Sequence, residues 1–343
     1  VEQRSQIDNI MAVNKGLTAA RLAKKDEFYT QLDDIANELK HYKQHFEGKT
    51  VLCNCDDPRV SHFFHYFSYN FHSLGIKRLI TTCYKNQNPD LFSQHNAITK
   101  AVWLDYYGGY TGDGVPDPLK IGLNYFKGDG DFRSTECIDL LKQADIVVTN
   151  PPFSLFREYV AQLVKYDKKF LIIGHQNAIT YNEIFRLFKE NKIWLGYGFK
   201  GSAAYFYSQY VDTAVAGVHK EGMIRVSGVH WFTNLEHKKR NERMYLYKHY
   251  NSAEYPEYDN YDAIEVSKTS EIPSDYDGIM GVPITFMDKY CPEQFELIWT
   301  TDRGGDGMLE SLKKQHTRFD APVVNGEGKY TRILIKKRDN NED

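Results

Sequence analysis

Residues 150–153 are the segment of this 343-residue chain that is best suited to chemistry. An apolar run over 146–148 ends there in Asn150-Pro151-Pro152-Phe153. Consecutive prolines restrict the backbone, so they hold the neighbouring amide and aromatic ring in place. The Asn150 side-chain oxygen and the Pro151 carbonyl can accept the two hydrogens of a planar amine such as that of adenine, and Phe153 can stack on the ring. This arrangement favours attack by the amine on an electrophile, because positioned groups lower the barrier.

The local pattern places this turn at the end of a strand. The β-branched run over 146–148 predicts a strand buried on both faces of a parallel sheet, and apolar residues at helical spacing over 154–165 predict a helix after it. Open α/β sheets bind ligands at the carboxyl ends of their strands. An ordinary strand-ending turn before a capped helix is the alternative interpretation of these four residues.

Predicted strands and helices alternate on both sides of the turn. This alternation favours an α/β fold with a three-layer, mostly parallel, Rossmann-like sheet. The aromatic-rich stretch over 205–232 predicts antiparallel strands that end or flank this sheet. The predicted strands are 50–55, 78–83, 146–148, 170–174 and 193–196, with a further strand signal at 98–106 inside an insertion over 84–126.

Composition limits the class of protein. The net charge is −3 and no apolar run approaches the roughly 18 residues of a membrane span, so we expect a cytoplasmic protein without a membrane partner. The five cysteines contain no C-x-x-C pair and are interpreted as reduced thiols. His62, His65 and His72 share a predicted helix without paired carboxylates or cysteines, so we interpret them as surface residues and predict no metal site.

Four segments, taken in order, resemble a known enzyme family. The turn at 150–153 resembles motif IV of the S-adenosylmethionine-dependent amino-methyltransferases, and Asp26-Glu27-Phe28-Tyr29-Thr30 resembles motif X of their gamma type. Cys53-Asn54-Cys55-Asp56-Asp57-Pro58 stands at the place of motif I, and Gly128-Asp129-Gly130-Asp131-Phe132 at that of motif III. With a long carboxyl-terminal region after them, these segments resemble the EcoRI-type adenine-specific DNA methyltransferases over residues 20–340.

The resemblance implies a site-specific enzyme of restriction–modification. Such an enzyme would transfer a methyl group from S-adenosylmethionine to the N6 amine of an adenine flipped out of duplex DNA. It implies catalytic roles for Asn150, Pro151, Pro152 and Phe153. The residues that it implies for cofactor binding are Phe28, Tyr29, Thr30, Cys55, Asp56, Asp57, Pro58, Asp129, Asp131 and Phe132.

The sequence departs from the family pattern at two places. Motif I is usually glycine-rich, which lets the backbone approach the cofactor closely, whereas the turn here has no glycine. The acidic residue expected after the second strand is replaced by Thr81-Thr82-Cys83-Tyr84. Purely structural roles therefore stay open for several candidates. These are helix capping for Asp56 and Asp57, a cap or turn for Asp131, core packing for Phe132, and a helix start for Tyr29 and Thr30.

Charge divides the carboxyl-terminal region into segments of opposite sign. Basic residues are concentrated over 220–248 and 303–338, and acidic residues over 254–277. Two basic segments can form a phosphate-binding face, although solvated surface charge is the alternative. Lys238, Lys239, Arg240 and Arg243 are candidate phosphate contacts, and Arg303 in a polar loop is a candidate base or phosphate contact.

The predicted organisation is an N-terminal extension over 1–25, a methyltransferase domain over 26–237 and a target-recognition region over 238–343. The expected partner is double-stranded DNA, and a restriction endonuclease acting on the same site is a further candidate. An enzyme that methylates a palindrome one strand at a time needs no dimer, so we expect a monomer. The alternatives are an amino-methyltransferase of RNA or of protein glutamine, and a non-catalytic nucleic-acid-binding protein that retains the fold.

Overall fold

The computed structural model describes residues 29–55, 57–84, 100–109, 116–199, 203–207, 223–301, 310–314 and 321–338. The chain divides into two compact units, one of residues 1–175 with 197–235 and one of 176–196 with 236–343. This division places 176–196 with the carboxyl-terminal residues, whereas the sequence analysis placed them in the methyltransferase domain. In the part of the chain that the structure describes, no helix is long and apolar enough to cross a membrane.

The regular elements of the described residues are mostly short strands joined by helices of one to three turns. The α-helices are α1 (Leu32–Leu39), α2 (His62–Tyr69), α3 (Pro118–Ile121), α4 (Thr135–Gln143), α5 (Phe156–Lys165) and α6 (Asn182–Lys189). The strands are β1 (Tyr29–Thr30), β2 (Thr50–Asn54), β3 (Arg78–Cys83), β4 (Val102–Tyr106), β5 (Asn124–Tyr125), β6 (Ile146–Thr149), β7 (Lys169–His175), β8 (Trp194–Leu195), β9 (Ala203–Tyr207), β10 (Met223–Ser227), β11 (Val229–Thr233), β12 (Ile264–Glu265), β13 (Ile279–Val282), β14 (Phe295–Thr300), β15 (Val323–Val324), β16 (Glu327–Gly328) and β17 (Ile333–Lys337).

The first unit is built on a large mixed sheet. Its strands in this unit follow the order β5-β4-β3-β2-β6-β7-β11. The four central strands β3, β2, β6 and β7 are parallel, while β4, β5 and β11 run antiparallel to their neighbours. Every residue of β6 is buried, as the unbroken apolar run predicts. The predicted α/β fold with a Rossmann-like sheet is confirmed, and antiparallel strands lie on both sides of its parallel centre.

Helices cover both faces of this sheet. On one face α1 and α2 pack through Ile35 and Phe63 against a cluster that includes Val51, Val148 and Trp231. On the other face α5 places Phe156 against Phe232 of β11, with ring centroids 4.9 Å apart. The sheet therefore has a helix layer on each side, as the sequence predicts.

Serine side chains cap the amino ends of two helices of the first unit. Helix α2 begins at His62, because the side chain of Ser61 accepts a hydrogen bond from the Phe64 amide. Ser134 caps α4 in the same way, through the amide of Cys137. Helix α2 therefore starts one turn after Pro58.

A smaller sheet of the first unit consists of β1, β9 and β10, all antiparallel. In the second unit, β12, β13, β17 and β14 form a four-stranded sheet. Helix α6 packs on it, with the rings of Phe185 and Trp299 5.4 Å apart.

Candidate active site

The turn after β6 is tied to the neighbouring central strand. Asn150 is 7% exposed, and Phe153–Leu155 forms a turn of 3-10 helix before α5 begins. The hydroxyl of Thr149, the last residue of β6, donates to the backbone carbonyl of Asn54 at the end of β2. The Asn150 amide is thus held at the carboxyl edge of the parallel strands, where the sequence predicts the site.

The side chain of Asn150 is also joined to β1, which lies 120 residues earlier in the chain. Its Nδ2 donates to the Thr30 hydroxyl at 3.3 Å, and both residues are buried. The backbone carbonyl of Thr30 accepts in turn from Nδ1 of His62, at 2.7 Å. The structure thus brings together residues of motifs X and IV, and it adds a histidine that the sequence analysis interpreted as a surface residue.

A second buried hydrogen bond joins α5 to β2. The phenol of Tyr159 donates to the side-chain oxygen of Asn54, and both residues are buried. Burial raises the pKa of Tyr159 well above its ordinary value, so the phenol stays neutral and remains a donor. Asn54 therefore contacts the helix of motif IV through its side chain and β6 through its carbonyl. The sequence pattern does not identify Tyr159 as a site residue, because it occupies one of several apolar positions of the predicted helix.

The turn of motif I takes an unusual backbone conformation. Cys55 follows β2 directly and has a φ of +76°, in the left-handed region that favours glycine. The glycine-poor sequence therefore still forms a tight turn at this strand end, at a cost of about 1–2 kcal/mol for a residue that carries a β-carbon.

The acidic residue of this turn is bound to a neighbouring arginine. Both oxygens of Asp57 accept hydrogen bonds from the Arg59 guanidinium, and Oδ1 also accepts from the Arg59 amide. Asp57 and Pro58 are buried. The alternative that Asp57 caps α2 is wrong, because Ser61 is the cap. Asp57 thus lies near the carboxyl end of β2, with both carboxylate oxygens bonded to Arg59.

The loop of motif III contains a second ion pair. Asp131 pairs with Arg133 at 2.7 Å, and Arg133 also reaches Glu158 of α5 at 2.8 Å. Asp129 accepts from the Asp131 amide at 3.0 Å, which makes a local turn. Phe132 is buried under Arg133 and meets the Tyr159 ring at 5.0 Å. The turn and packing roles left open for Asp131 and Phe132 are therefore both present.

Close packing brings the motif III loop to the end of β3. Gly130 has a φ of +75°, and a β-carbon added there would lie 2.7 Å from both the Cys83 carbonyl and the Ala101 side chain. Cys137 of α4 fixes the same loop by donating from Sγ to the Gly130 carbonyl. Motifs I, III and IV therefore meet at one edge of the sheet.

The aromatic ring of motif IV lies beside a histidine that the sequence analysis did not identify. Phe153 is half-buried, and its ring centroid is 6.5 Å from that of His175 at the end of β7. Burial, with a smaller contribution from His230, lowers the pKa of His175 to about 4. His175 is therefore uncharged near neutral pH, and the surface beside Phe153 carries no positive charge from this ring.

Two of the predicted phosphate contacts are engaged within the second unit. The Arg240 guanidinium stacks on Trp194 at 3.5 Å and donates to Glu236 at 2.5 Å, and the residue is 8% exposed. Lys239 pairs with Asp288 at 2.8 Å. This geometry corrects the prediction for Arg240: a buried, stacked guanidinium is built into the protein interior and is not presented to a phosphate.

Two further predicted phosphate contacts are exposed to solvent, and several other predicted site residues lie outside the described residues. Lys238 and Arg243 are exposed. Phe28, Asp56 and Arg303 lie outside the described residues, and only the backbone of Tyr29 is described. Among the residues that the structure does describe, no group of three or more histidine, cysteine or acidic side chains could hold a metal ion.

Comparison with known proteins identifies close relatives of this chain. A family model described as adenine-specific methyltransferase EcoRI matches residues 16–338. The type II methyltransferase M.EcoRI of Escherichia coli is 48% identical over 334 residues, which cover 95% of this chain and 98% of that protein. M.MpnI of Mycoplasma pneumoniae is 39% identical over 334 residues, covering 94% and 98%. M.MgeORF184P of Mycoplasma genitalium is 38% identical over 332 residues, covering 93% and 98%. No solved structure matches significantly.

Proposed function

Since this chain belongs to the family of EcoRI-type adenine-specific methyltransferases, we propose that it transfers a methyl group from S-adenosylmethionine to N6 of adenine in double-stranded DNA. The family supports site-specific adenine methylation of the restriction–modification type. The observation that carries the proposal for the site is the buried Asn150 amide, followed by two prolines, at the carboxyl edge of the central strands.

The residues of this edge fit a nucleoside cofactor bearing a sulfonium. Asp131 supplies a carboxylate for an adenine amine or a ribose hydroxyl, and Phe132 supplies an apolar ring beside it. The left-handed backbone at Cys55 lets the motif I turn approach a ligand without a glycine. Asp57 is bonded to Arg59 through both oxygens just as Asp131 is bonded to Arg133, and each carboxylate keeps further acceptor lone pairs, so both remain proposed cofactor contacts. S-adenosylmethionine, when bound, supplies an electrophilic methyl group.

In this proposal the turn after β6 prepares the target amine. The base must leave the duplex, because a stacked and paired amine cannot be reached in line. The Asn150 side-chain oxygen and the Pro151 carbonyl accept its two hydrogens, which favours a pyramidal nitrogen with its lone pair directed at the methyl carbon. Phe153 stacks on the ring. The bound cofactor would supply the methyl group for the new N–C bond and keep the electron pair of its S–C bond, and water would take the proton that the amine gives up.

The DNA contacts that we propose from the described residues are Lys238 and Arg243, because both side chains are exposed. Arg303 stays a prediction from the sequence. Lys239, which pairs with Asp288, stays a candidate contact, whereas the buried Arg240 packs against Trp194. We also propose that the enzyme acts as a monomer, and that a restriction endonuclease specific for the same site accompanies it.

The test is methyl transfer from labelled S-adenosylmethionine to unmethylated DNA, RNA and protein extract in parallel, with the product identified by mass spectrometry. We expect N6-methyladenine in DNA alone. Label in RNA or in protein glutamine would mean that the substrate is RNA or protein rather than DNA. No label despite bound cofactor would favour the non-catalytic alternative.

A matched pair of asparagine variants links this activity to the site. Asn150→Ala is expected to lower kcat by at least about a hundredfold with cofactor binding retained, because it removes an acceptor aimed at the reacting amine. Asn37→Ala is the control, since Asn37 lies half-buried on α1 and contacts only the exposed Lys40 among the interactions described. Normal turnover by Asn150→Ala would contradict the assignment of this turn as the active site.

A further inference from the structure

We propose that Thr30 and His62 are positioning residues, which orient the side-chain amide of Asn150 toward the target amine. This inference rests on the proposed function and adds two residues to it. Its basis is a continuous set of contacts: His62 Nδ1 to the Thr30 carbonyl at 2.7 Å, and Asn150 Nδ2 to the Thr30 hydroxyl at 3.3 Å.

The orientation of the amide decides whether Asn150 can hold the target amine. A primary amide has an acceptor end and a donor end, and the amine hydrogens need the acceptor. Because Nδ2 of Asn150 donates to the Thr30 hydroxyl, Oδ1 is directed away from Thr30. The reversed amide would present its own N–H groups to those of the amine. The Thr30 hydroxyl therefore serves as the acceptor for Nδ2 in the productive orientation, a role that requires its own proton to be directed away from Asn150 because a hydroxyl can also donate.

The position of Thr30 is itself fixed from two other elements. Thr30 pairs with Phe206 across β1 and β9, and Gln31 Nε2 donates to the Tyr205 carbonyl at 2.7 Å. His62, the first residue of α2, supplies the third support, and its Nδ1 must carry a proton because a carbonyl only accepts. The Thr30 hydroxyl thus lies on a backbone that is held by a strand and by a helix.

Two variants of Thr30 with similar shapes separate this role from a purely steric one. Thr30→Val keeps the shape and removes the acceptor, whereas Thr30→Ser keeps the hydroxyl. We expect Thr30→Val to lower kcat roughly tenfold to a hundredfold, and Thr30→Ser to stay within about threefold of the wild type. The measurement is single-turnover methylation of unmethylated DNA, with the Kd for S-adenosylmethionine determined by calorimetry on the same proteins.

The Kd distinguishes positioning from a cofactor contact, which the family resemblance implies for this motif. A loss in kcat with the Kd within about twofold of the wild type supports positioning of Asn150. A wild-type kcat for Thr30→Val, or a change confined to the Kd, would overturn it. Wild-type protein that fails to methylate adenine would instead refute the proposed function, so the two failures are distinguishable.

His62 provides an independent check if Thr30→Val does not fold. His62→Phe removes the donor to the Thr30 carbonyl and is expected to lower kcat about tenfold. His62→Asn is expected to restore it, because the amide nitrogen can occupy the place of Nδ1. Equal activity of His62→Phe and the wild type would remove His62 from the proposal.

Discussion

At the scale of the residue, Phe153 has the surroundings that a stacking side chain requires. Its ring is half-buried, so one part is supported by the protein while another stays available to a ligand. His175, whose ring centroid lies 6.5 Å from that of Phe153, is kept neutral near pH 7 by burial, which lowers its pKa to about 4. A neutral His175 suits a neutral base as the ligand, because the ring carries no charge that would lose its hydration when the base displaces water.

We therefore predict that Phe153→Ala lowers kcat on duplex DNA roughly tenfold to a hundredfold, since stacking of a base on an aromatic ring is worth about 1–3 kcal/mol. Phe153→Tyr, which keeps the ring, is expected to stay close to the wild type. Single-turnover methylation with saturating cofactor is the measurement. Equal rates for the alanine and tyrosine variants would show that the ring does not stack on the target.

The residues that carry the proposed chemistry could be predicted only where a local pattern marks them. Asn150 and Phe153 were found because two prolines between them make a recognisable turn. His62 could not be found, because its contact with Thr30 spans 32 residues and depends on the cap at Ser61. For Arg240 the error came from charge: only the fold shows that its guanidinium stacks on Trp194.

At the scale of the element, two left-handed residues lie at the sheet edge that we propose for cofactor binding. Cys55 and Gly130 both have positive φ, and they follow β2 and precede α4 respectively. The two positions differ in whether a β-carbon fits, since Cys55 carries one. The Gly130 position is closed by the Cys83 carbonyl and by Ala101, so this glycine is required by packing as well as by its backbone angle.

Gly130→Ala is predicted to destabilise the first unit and to raise the Kd for S-adenosylmethionine, because the added β-carbon would push the motif III loop away from β3. Gly48→Ala is the matched control: its φ is +69° and nothing lies within 4 Å of an added β-carbon. The control should lose only about 1–2 kcal/mol of unfolding free energy, with an unchanged Kd. Urea unfolding and calorimetry test both effects. Equal losses of unfolding free energy for the two variants would mean that the motif III loop accommodates the added β-carbon at no cost beyond that of the left-handed backbone.

The sequence predicts the central elements well, for a physical reason. Strands β2, β3 and β6 are buried apolar runs bounded by helix or turn signals, and their predicted positions are confirmed. The direction of β4 could not be predicted, because a strand of either direction has the same side-chain alternation. The structure shows that β4 pairs antiparallel to β3.

At the scale of the whole molecule, charge is divided between interior and surface. The chain has a net charge of −3, so DNA binding must come from local basic surface rather than from the total. Arg240 and Arg243 are three residues apart in the same basic segment, yet one is buried against Trp194 and the other is exposed. Two arginines that are close in sequence therefore lie in different environments, and these environments predict different experimental outcomes.

Arg243→Ala is predicted to weaken DNA binding and to reduce the slope of log Kd against log salt concentration by about one, as for one lost phosphate contact. Arg240→Ala should leave that slope unchanged and lower the free energy of unfolding by about 2–3 kcal/mol, because stacking and two hydrogen bonds are lost. Arg186→Ala, an exposed arginine of α6 outside both basic segments, is the control for a simple loss of charge. Fluorescence anisotropy at several salt concentrations and urea unfolding measure the two quantities. A reduced slope for Arg240→Ala with normal stability would return this arginine to the DNA surface, because a guanidinium that neutralises a phosphate must be able to leave Trp194.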